Sequence, residues 1–414
     1  MRILVDTAPL RPPFTGIANY QFSILEAALT SGGAVFGGVA LGRWHTLDME
    51  ALEALREGAA GARQSGRTAG KLPASATRRA ASAAWRRLPG ATAVRGSYYA
   101  WRVGAELRKF DPGLFHAFNF IAPFRPAGIP ILPLVHDLSH MRHPEFHTAA
   151  RRLALAGVKK ACALAPLVHT ISDFSSAEIA ALLDVPKARI VAIPPAVGDT
   201  FRAEPKVDDA VLRAHLLKRQ GYALFVGSLE PRKNLAILLD AYRQLKPAER
   251  RAMPLAVAGA EGWGGVSRDP RLVALEREGA VRRLGYVADA ELATLYAAAR
   301  VFLFPSHYEG YGMPVGEALA CGAPVVASNR SAIPQAAGGQ ALLLPPDDAD
   351  AWAQALREAI GDDRPLGARL RKARRKAALA RSWSDAAGEM LAMYRLCIAA
   401  GPRPSPRRAR RGLP

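Results

Sequence analysis

Short apolar runs alternate with stretches of helical periodicity along almost the whole chain, and they do so in two sets. The first set comprises residues 2–6, 35–41, 114–117, 131–136, 168–172 and 190–193; the second comprises residues 222–226, 255–258, 283–284, 301–304, 324–327 and 341–344. Continuous apolar runs mark strands buried on both faces, and strands alternating with helices build parallel sheets covered by helices. An α/β fold follows, with one parallel sheet for each set. At 414 residues, two or three domains are expected for units of roughly 150 residues. The pattern divides the chain into a first domain over 1–198 and a polar linker over 199–220. A second domain covers 221–382, with an arginine-rich helix near 364–381. A last amphipathic helix spans 383–400, and a proline- and arginine-rich tail, expected to be disordered, spans 401–414.

Residues 304–326 of the second set read F-P-S-H-Y-E-G-Y-G-M-P-V-G-E-A-L-A-C-G-A-P-V-V. A strand ending at Phe304 is followed by a turn and a helix, for Pro314 suits a first helical turn and Gly322 a helix stop. Gly310 and Gly312 let the backbone turn tightly and bring N–H groups of Tyr311, Met313 and Val315 toward a ligand, where a helix start attracts phosphate. Glu309 precedes the turn and Glu317 lies one turn into the helix, so each carboxylate can accept hydrogen bonds from sugar hydroxyls. One helix terminus can therefore hold a sugar, a diphosphate and a ribose.

The segment Phe225-Val-Gly-Ser-Leu-Glu-Pro-Arg-Lys-Asn234 gives a second phosphate signal: a strand end, a turn at Gly227 and Ser228, then Arg232 and Lys233 before a helix for which Asn234 suits an N-cap. In the first set, Leu132-Pro-Leu-Val-His-Asp137 ends a strand at His136, at the carboxyl edge where parallel sheets bind ligands, and its imidazole can donate to a sugar hydroxyl or phosphate. His140, His143 and His147 follow, but Pro144 interrupts the segment and no cysteine or clear carboxylate partner is placed, which argues against zinc. Thr15-Gly-Ile-Ala-Asn-Tyr20 opens the first helix with Gly16 at its start. A G-x-G-x-x-G dinucleotide fingerprint is absent.

These motifs resemble those of the retaining glycosyltransferases of family 4, whose paired glutamates are separated by seven residues, as Glu309 and Glu317 are here. The resemblance covers nearly all of the chain except residues 43–95 and the tail. It implies the GT-B fold: two Rossmann-like domains facing a cleft, with the last helix crossing back to the first domain. The first domain would be the acceptor side and the second would bind the nucleotide sugar. Glu309 and His136 would contact the donor sugar, Glu317 the ribose, Arg232 and Lys233 the departing diphosphate, and the backbone of Tyr286 and Val287 the base. Gly16 would lie between donor and acceptor. Many members carry a further arginine where this chain has Ser228, so the phosphate clamp would rest on two cations. No cofactor or metal is required in such a scheme. L-E-P-R-K-N and H-D-L-S are similar to segments of bacterial mannosyl- and rhamnosyltransferases of surface polysaccharide synthesis. They imply a GDP-sugar donor and a lipid-linked glycan acceptor. Two alternatives stand beside this one: a nucleotide-sugar epimerase of related fold, and a membrane-associated binding protein without activity.

The net charge of +20 points to an acidic neighbour. Nine arginines and lysines between positions 63 and 102 are interleaved with Trp85, Tyr98, Tyr99 and Trp101. That basic insertion, about 43–95, suits anionic lipid headgroups as well as it suits a poorly ordered surface loop. No nucleic-acid-binding motif accompanies the charge. Apolar runs fall far short of the ~18 residues a membrane span needs, and the N-terminus lacks signal-peptide features. Cys162, Cys321 and Cys397 are widely spaced without a C-x-x-C pair, as a reducing compartment allows. A cytoplasmic protein is expected, one able to rest on the inner face of the membrane.

Overall fold

A computed structural model describes residues 1–11, 14, 16–40, 42–64, 91–126, 128–202, 206–361 and 380–403. The middle of the basic insertion, Thr15, most of the arginine-rich stretch near 364–381 and nearly all of the tail lie outside the described residues. Five strands form the first sheet: β1 (Arg2–Asp6), β2 (Val35–Ala40), β3 (Arg43–Leu47), β4 (Leu114–Ala117) and β5 (Ile131–Pro133), in the order β3-β2-β1-β4-β5. Strands β6 (Val168–Thr170) and β7 (Ile190–Ala192) pair with each other, and a bridge between Leu134 and His169 continues the parallel pairing from β5 onto them. The second sheet holds β8 (Ala223–Val226), β9 (Leu255–Ala258), β10 (Val281–Gly285), β11 (Val301–Phe304), β12 (Val325–Ser328) and β13 (Leu342–Leu344). It is wholly parallel, in the order β10-β9-β8-β11-β12-β13.

Strand order reverses between β1 and β4 and again between β8 and β11. Loops leaving neighbouring strands diverge at such points and open a crevice at the carboxyl ends. Apolar side chains cover both faces of the second sheet. Leu224, Phe302 and Phe304 pack with Tyr296 and Val315 on one side, while Phe225, Leu303 and Val326 pack with Leu238, Tyr242 and Trp352 on the other. Ile3 and Val5 of β1 pack with Tyr20, Ile24 and Leu25 of the first helix, Gly16–Ser31, and with Met390, Leu391 and Tyr394 of the C-terminal helix, Trp383–Ala400.

The C-terminal helix starts with a reciprocal cap between Ser382 and Asp385 and crosses back onto the first half. Immediately before it, Arg381 Nε donates to the Pro194 carbonyl at 2.9 Å and its guanidinium pairs with Glu389, so the two chain crossings between the halves run side by side. The three cysteines are buried thiols. Among the described residues no helix is long and apolar enough to cross a membrane.

Three expectations need correction. Residues 43–47, assigned to the basic insertion, form the antiparallel edge strand β3, and the insertion continues as the helix Met49–Gln64 and enters the helix Ala91–Phe110. Residues 199–220, read as a polar linker, are partly helical and partly buried. They contain the helices Asp199–Arg202 and Asp209–Ala214, and Phe201, Leu212 and Leu217 are buried in the core of the second half. Strand β5 ends at Pro133; the Leu134 N–H still donates to the Ala117 carbonyl at 2.8 Å and the Val135 N–H to the His169 carbonyl at 2.9 Å, and His136 lies beyond both the strand and this pairing.

Candidate active site

The carboxyl edges of the two sheets face each other, and Glu309 sits at the centre of what they hold. Its Oε1 accepts from Lys233 Nζ at 2.7 Å and its Oε2 lies 2.8 Å from an Arg232 guanidinium nitrogen. Burial alone would raise the Glu309 carboxyl, but Arg232 and Lys233 outweigh it and bring the group down to about 2. Arg232 is shared with the buried Glu230 at 2.6 Å and also donates to the Tyr308 carbonyl at 2.6 Å. Despite burial, the two carboxylates keep its guanidinium charged.

Local sequence explains this geometry. Gly227, at φ +155°, ends β8 in a conformation L side chains rarely adopt, and a Cβ there would touch the Lys233 stem at 3.4 Å. The chain then turns through Pro231–Lys233, and Asn234 adopts the left-handed conformation at φ 54°. Asn234 does precede the helix Leu235–Arg243, but its side chain does not cap it. The amide donates instead to the carbonyls of Pro305 and Pro346, at 3.1 and 2.6 Å, because the left-handed backbone turns it toward β11. The loop after β8 is thereby tied to the end of the strand that leads to Glu309. Ser228 lies in that loop, and Gly259 presses so closely on Gly227 that a Cβ would come 2.0 Å from its carbonyl oxygen.

The helix after the turn is Met313–Ala320, with Gly312 at φ +103° before it and Pro314 in its first turn. The expected row of amide donors is narrower than the sequence suggested. Pro314 has no N–H and the Val315 N–H is used on the Gly312 carbonyl, at 3.0 Å, which leaves the amides around Gly312 and Met313 to meet a ligand. Glu317 is half-buried and accepts from the Tyr296 phenol at 3.2 Å; burial, reinforced by Asp289, pushes its carboxyl up to about 8. Tyr311 is half-buried: it packs against the core of the first half and also lines a cavity with Met313, Gly316 and Glu317.

His136 belongs to the first half, yet Gly310 lies against it: a Cβ on Gly310 would come 2.5 Å from the His136 carbonyl oxygen. Ser175 Oγ donates to that same carbonyl at 3.0 Å. The imidazole Nε2 is 3.1 Å from the Phe118 carbonyl, which can only accept, so Nε2 carries the proton. Burial lowers the ring to about 4. A neutral His136 therefore presents Nδ1 as an acceptor, which corrects the expectation that it donates to a hydroxyl or phosphate.

The other expected residues fall into place unevenly. At Gly16 a Cβ would meet nothing within 4 Å, so no protein neighbour demands glycine there. Tyr286 is 44% exposed beyond β10, whereas the Val287 side chain is buried in the core and only its backbone can serve a ligand. His143 stacks on Phe146 and His147 Nε2 donates to Ser139 Oγ, so the three histidines do not converge, and among the described residues no cluster suited to a metal ion forms. Sequence reasoning missed three cross-cleft contacts: Tyr308 with Glu178, Trp263 Nε1 with the Phe146 carbonyl at 3.1 Å, and Asp173 with Gln335. Tyr308 adjoins Glu309 in sequence, but nothing local marks its phenol as reaching the other half.

With this geometry in hand, comparison with known proteins is decisive. Residues 65–200 match the family model for Glycosyltransferase Family 4, and residues 220–362 match the model for Glycosyl transferases group 1. O-antigen chain mannosyltransferase B of Escherichia coli is 34% identical over 370 residues, which cover 88% of this chain and 91% of that protein. The chain belongs to glycosyltransferase family 4. Two solved structures share the family's GT-B fold with it. WaaG, a glycosyltransferase involved in lipopolysaccharide biosynthesis, aligns with a TM-score of 0.65 at 14% identity over 95% of this chain and 99% of that one. HepE from Anabaena, in complex with UDP and glucose, aligns with a TM-score of 0.64 at 18% identity over 95% and 98%. The enzyme is a GT-B glycosyltransferase, and its two Rossmann-like halves enclose the cluster around Glu309.

Proposed function

We propose that this glycosyltransferase moves a mannose-like hexose from a GDP-sugar to a hydroxyl of a lipid-linked glycan, with the anomeric configuration retained, in the assembly of a bacterial surface polysaccharide. The observation that carries this reading is Glu309 held ionised between Arg232 and Lys233 at the start of the helix Met313–Ala320, opposite His136. The similarity to the O-antigen chain mannosyltransferase supports the sugar and the kind of acceptor.

In this scheme the bond from the anomeric carbon to the diphosphate breaks and its electron pair leaves with the diphosphate. Arg232, Lys233 and the amides around Gly312 and Met313 stabilise the charge that develops there. Charge-assisted hydrogen bonds of about 1.5–3 kcal/mol each make two buried cations a substantial clamp, and such a clamp has no need of a metal. Glu309 faces the positive charge growing on the sugar, His136 accepts from a sugar hydroxyl, and Glu317 accepts from the ribose. The acceptor hydroxyl attacks from the face the diphosphate leaves, and its proton passes to a phosphate oxygen. A covalent glycosyl-enzyme would need a carboxylate at the opposite face of the anomeric carbon. No residue is assigned to that role here.

The helix Ala91–Phe110 fits a membrane-bound acceptor. Tyr98 and Trp101 are 48% and 77% exposed, and Arg102, Arg108 and Lys109 are exposed beside them, a combination suited to an anionic lipid surface.

Nucleotide release from GDP-, UDP-, ADP- and dTDP-sugars tests the proposal, with a lipid-diphosphate acceptor extract present and Glu309→Ala and Lys233→Ala as controls. Release from the GDP-sugar, lost in both variants, supports it, and retention is read from the anomeric proton of the product. Release from another donor would reassign the sugar, and an epimerised nucleotide sugar without transfer would overturn the reaction class.

A further inference from the structure

A chain of buried polar groups, of which only Tyr20 belongs to a segment singled out in the sequence, runs beneath His136. The Tyr20 hydroxyl is 3.0 Å from the Ile193 carbonyl and 3.1 Å from His169 Nε2. A carbonyl only accepts, so the phenol gives its proton to Ile193 and its oxygen receives one from His169 Nε2–H. Burial keeps His169 neutral, holding it down to about 3, so its Nδ1 is a lone pair that accepts from His116 Nε2 at 3.2 Å. His116, kept neutral by burial in the same way, accepts at Nδ1 from the Tyr394 hydroxyl at 2.7 Å. Every proton in the sequence Tyr394, His116, His169, Tyr20, Ile193 is thereby fixed in direction. The four side chains are at most 1% exposed, and they come from the C-terminal helix, β4, β6 and the first helix.

The far end of this chain touches the site. The Tyr20 ring meets the edge of the His136 imidazole, with centroids 6.1 Å apart at 89°, while Phe120 meets it at 5.7 Å and the Phe118 carbonyl accepts a hydrogen bond from its Nε2–H. The backbone carbonyl of His169 also accepts from the Val135 N–H at 2.9 Å, so the strand that carries this imidazole holds the backbone one residue before His136. Trp383, the first residue of the C-terminal helix, packs on Tyr20 at 5.6 Å. The C-terminal helix therefore reaches Tyr20 twice, once by ring contact and once through three hydrogen bonds. Apolar side chains could fill the same volume, but they would not dictate one orientation of each ring.

We propose that Tyr20 is a positioning residue for His136, set in turn by His169, His116 and Tyr394, so that seating of the C-terminal helix is transmitted to the imidazole that faces the donor sugar. This rests on the donor-sugar role given to His136 above.

Tyr20→Phe and Tyr394→Phe in the full chain test it, because each keeps its ring and loses only hydrogen bonds. His136→Ala and Leu391→Ala serve as comparators. Leu391 lies on the C-terminal helix in the same apolar core, packs on Gly33 and makes none of the hydrogen bonds of the polar chain. With the donor that the panel above selects, both tyrosine variants are expected to lower kcat about 10-fold, less than the ~100-fold cost of a 1 Å misplacement. Their donor KM should change by no more than about twofold. Leu391→Ala should lower Tm at least as much and keep kcat near the wild-type value. Wild-type kcat in both tyrosine variants while His136→Ala is inactive would overturn the positioning role alone. An equal loss of kcat in Leu391→Ala would also overturn it, by reducing the effect to stability. Full activity in His136→Ala would overturn the sugar-contacting role on which it rests.

Discussion

Tyr308 and Glu178 meet across the cleft: the phenol of Tyr308, one residue before Glu309, donates to Glu178 Oε2 at 3.3 Å and accepts from the Leu138 N–H at 3.3 Å. Glu178 is otherwise paired with Arg142 at 2.7 Å, so the contact joins the donor-side loop to a charged pair of the first half. Tyr308→Phe keeps the ring packing and leaves Leu138 N–H without its partner, at a cost of about 1–3 kcal/mol. A lower Tm and a several-fold lower kcat/KM are expected, with small-angle scattering showing a more open average separation of the halves in the presence of nucleotide.

Glu309→Gln should separate binding from catalysis. The substitution removes the anion that occupies Arg232 and Lys233, so calorimetry with GDP should show binding as tight as wild type or tighter. Transfer should fall by roughly 100- to 1,000-fold, the scale of losing one group that stabilises transition-state charge. Lys233→Ala should weaken both.

Stability should respond to pH in opposite senses at the two glutamates. Glu317 holds its proton in the folded chain up to about 8 and releases it in the unfolded chain near the ordinary value of 4.5, so stability from this group falls as pH rises between them. Glu317→Gln should therefore gain Tm over wild type from about pH 5 to about pH 8. Glu309, depressed to about 2, contributes stability above about 4.5 that is lost as pH falls toward 2. The Tm difference between wild type and Glu309→Gln should shrink in acid. Thermal melts across the pH range check both.

Trp101→Glu should weaken cosedimentation with vesicles containing anionic phospholipid, since it places a carboxylate beside Arg102 on an exposed face of the helix Ala91–Phe110. Raising salt should weaken the wild-type interaction too, because headgroup attraction is screened within a Debye length of about 10 Å at 0.1 M. Binding to vesicles of neutral lipid alone should be unaffected by the substitution.

Buried parallel strands announce themselves, which is why the strands of both sheets other than β3 were legible in the sequence to within a few residues at their ends. Strand β3 was not, for Arg43-Trp-His-Thr-Leu47 is polar and pairs at an edge. Its place depends on Gly37 and Gly38, where a Cβ would come 2.1 Å from the Trp44 and His45 rings. At the site, the turn glycines, the proline in the first helical turn and the paired cations were readable because each answers a local backbone or charge requirement. Asn234 misled because residue type favours a cap while the backbone at φ 54° turns the amide elsewhere. His116 and His169 gave no sign at all: 53 positions separate them, and only the order of the strands brings their rings together.

The clip between Arg381 and the Pro194 carbonyl has a mechanical meaning. Two bodies joined by a single flexible thread can tumble, but two bodies joined by a pair of threads pinned side by side can swing about little more than one axis. Such a swing moves residues near the pin least and those at the rim most, so opening would part Trp263 from Phe146 widely while Tyr311 and Arg381 barely shift. Sugar and nucleotide would enter a space shaped like a wedge, widest where the indole of Trp263 now touches the opposite wall.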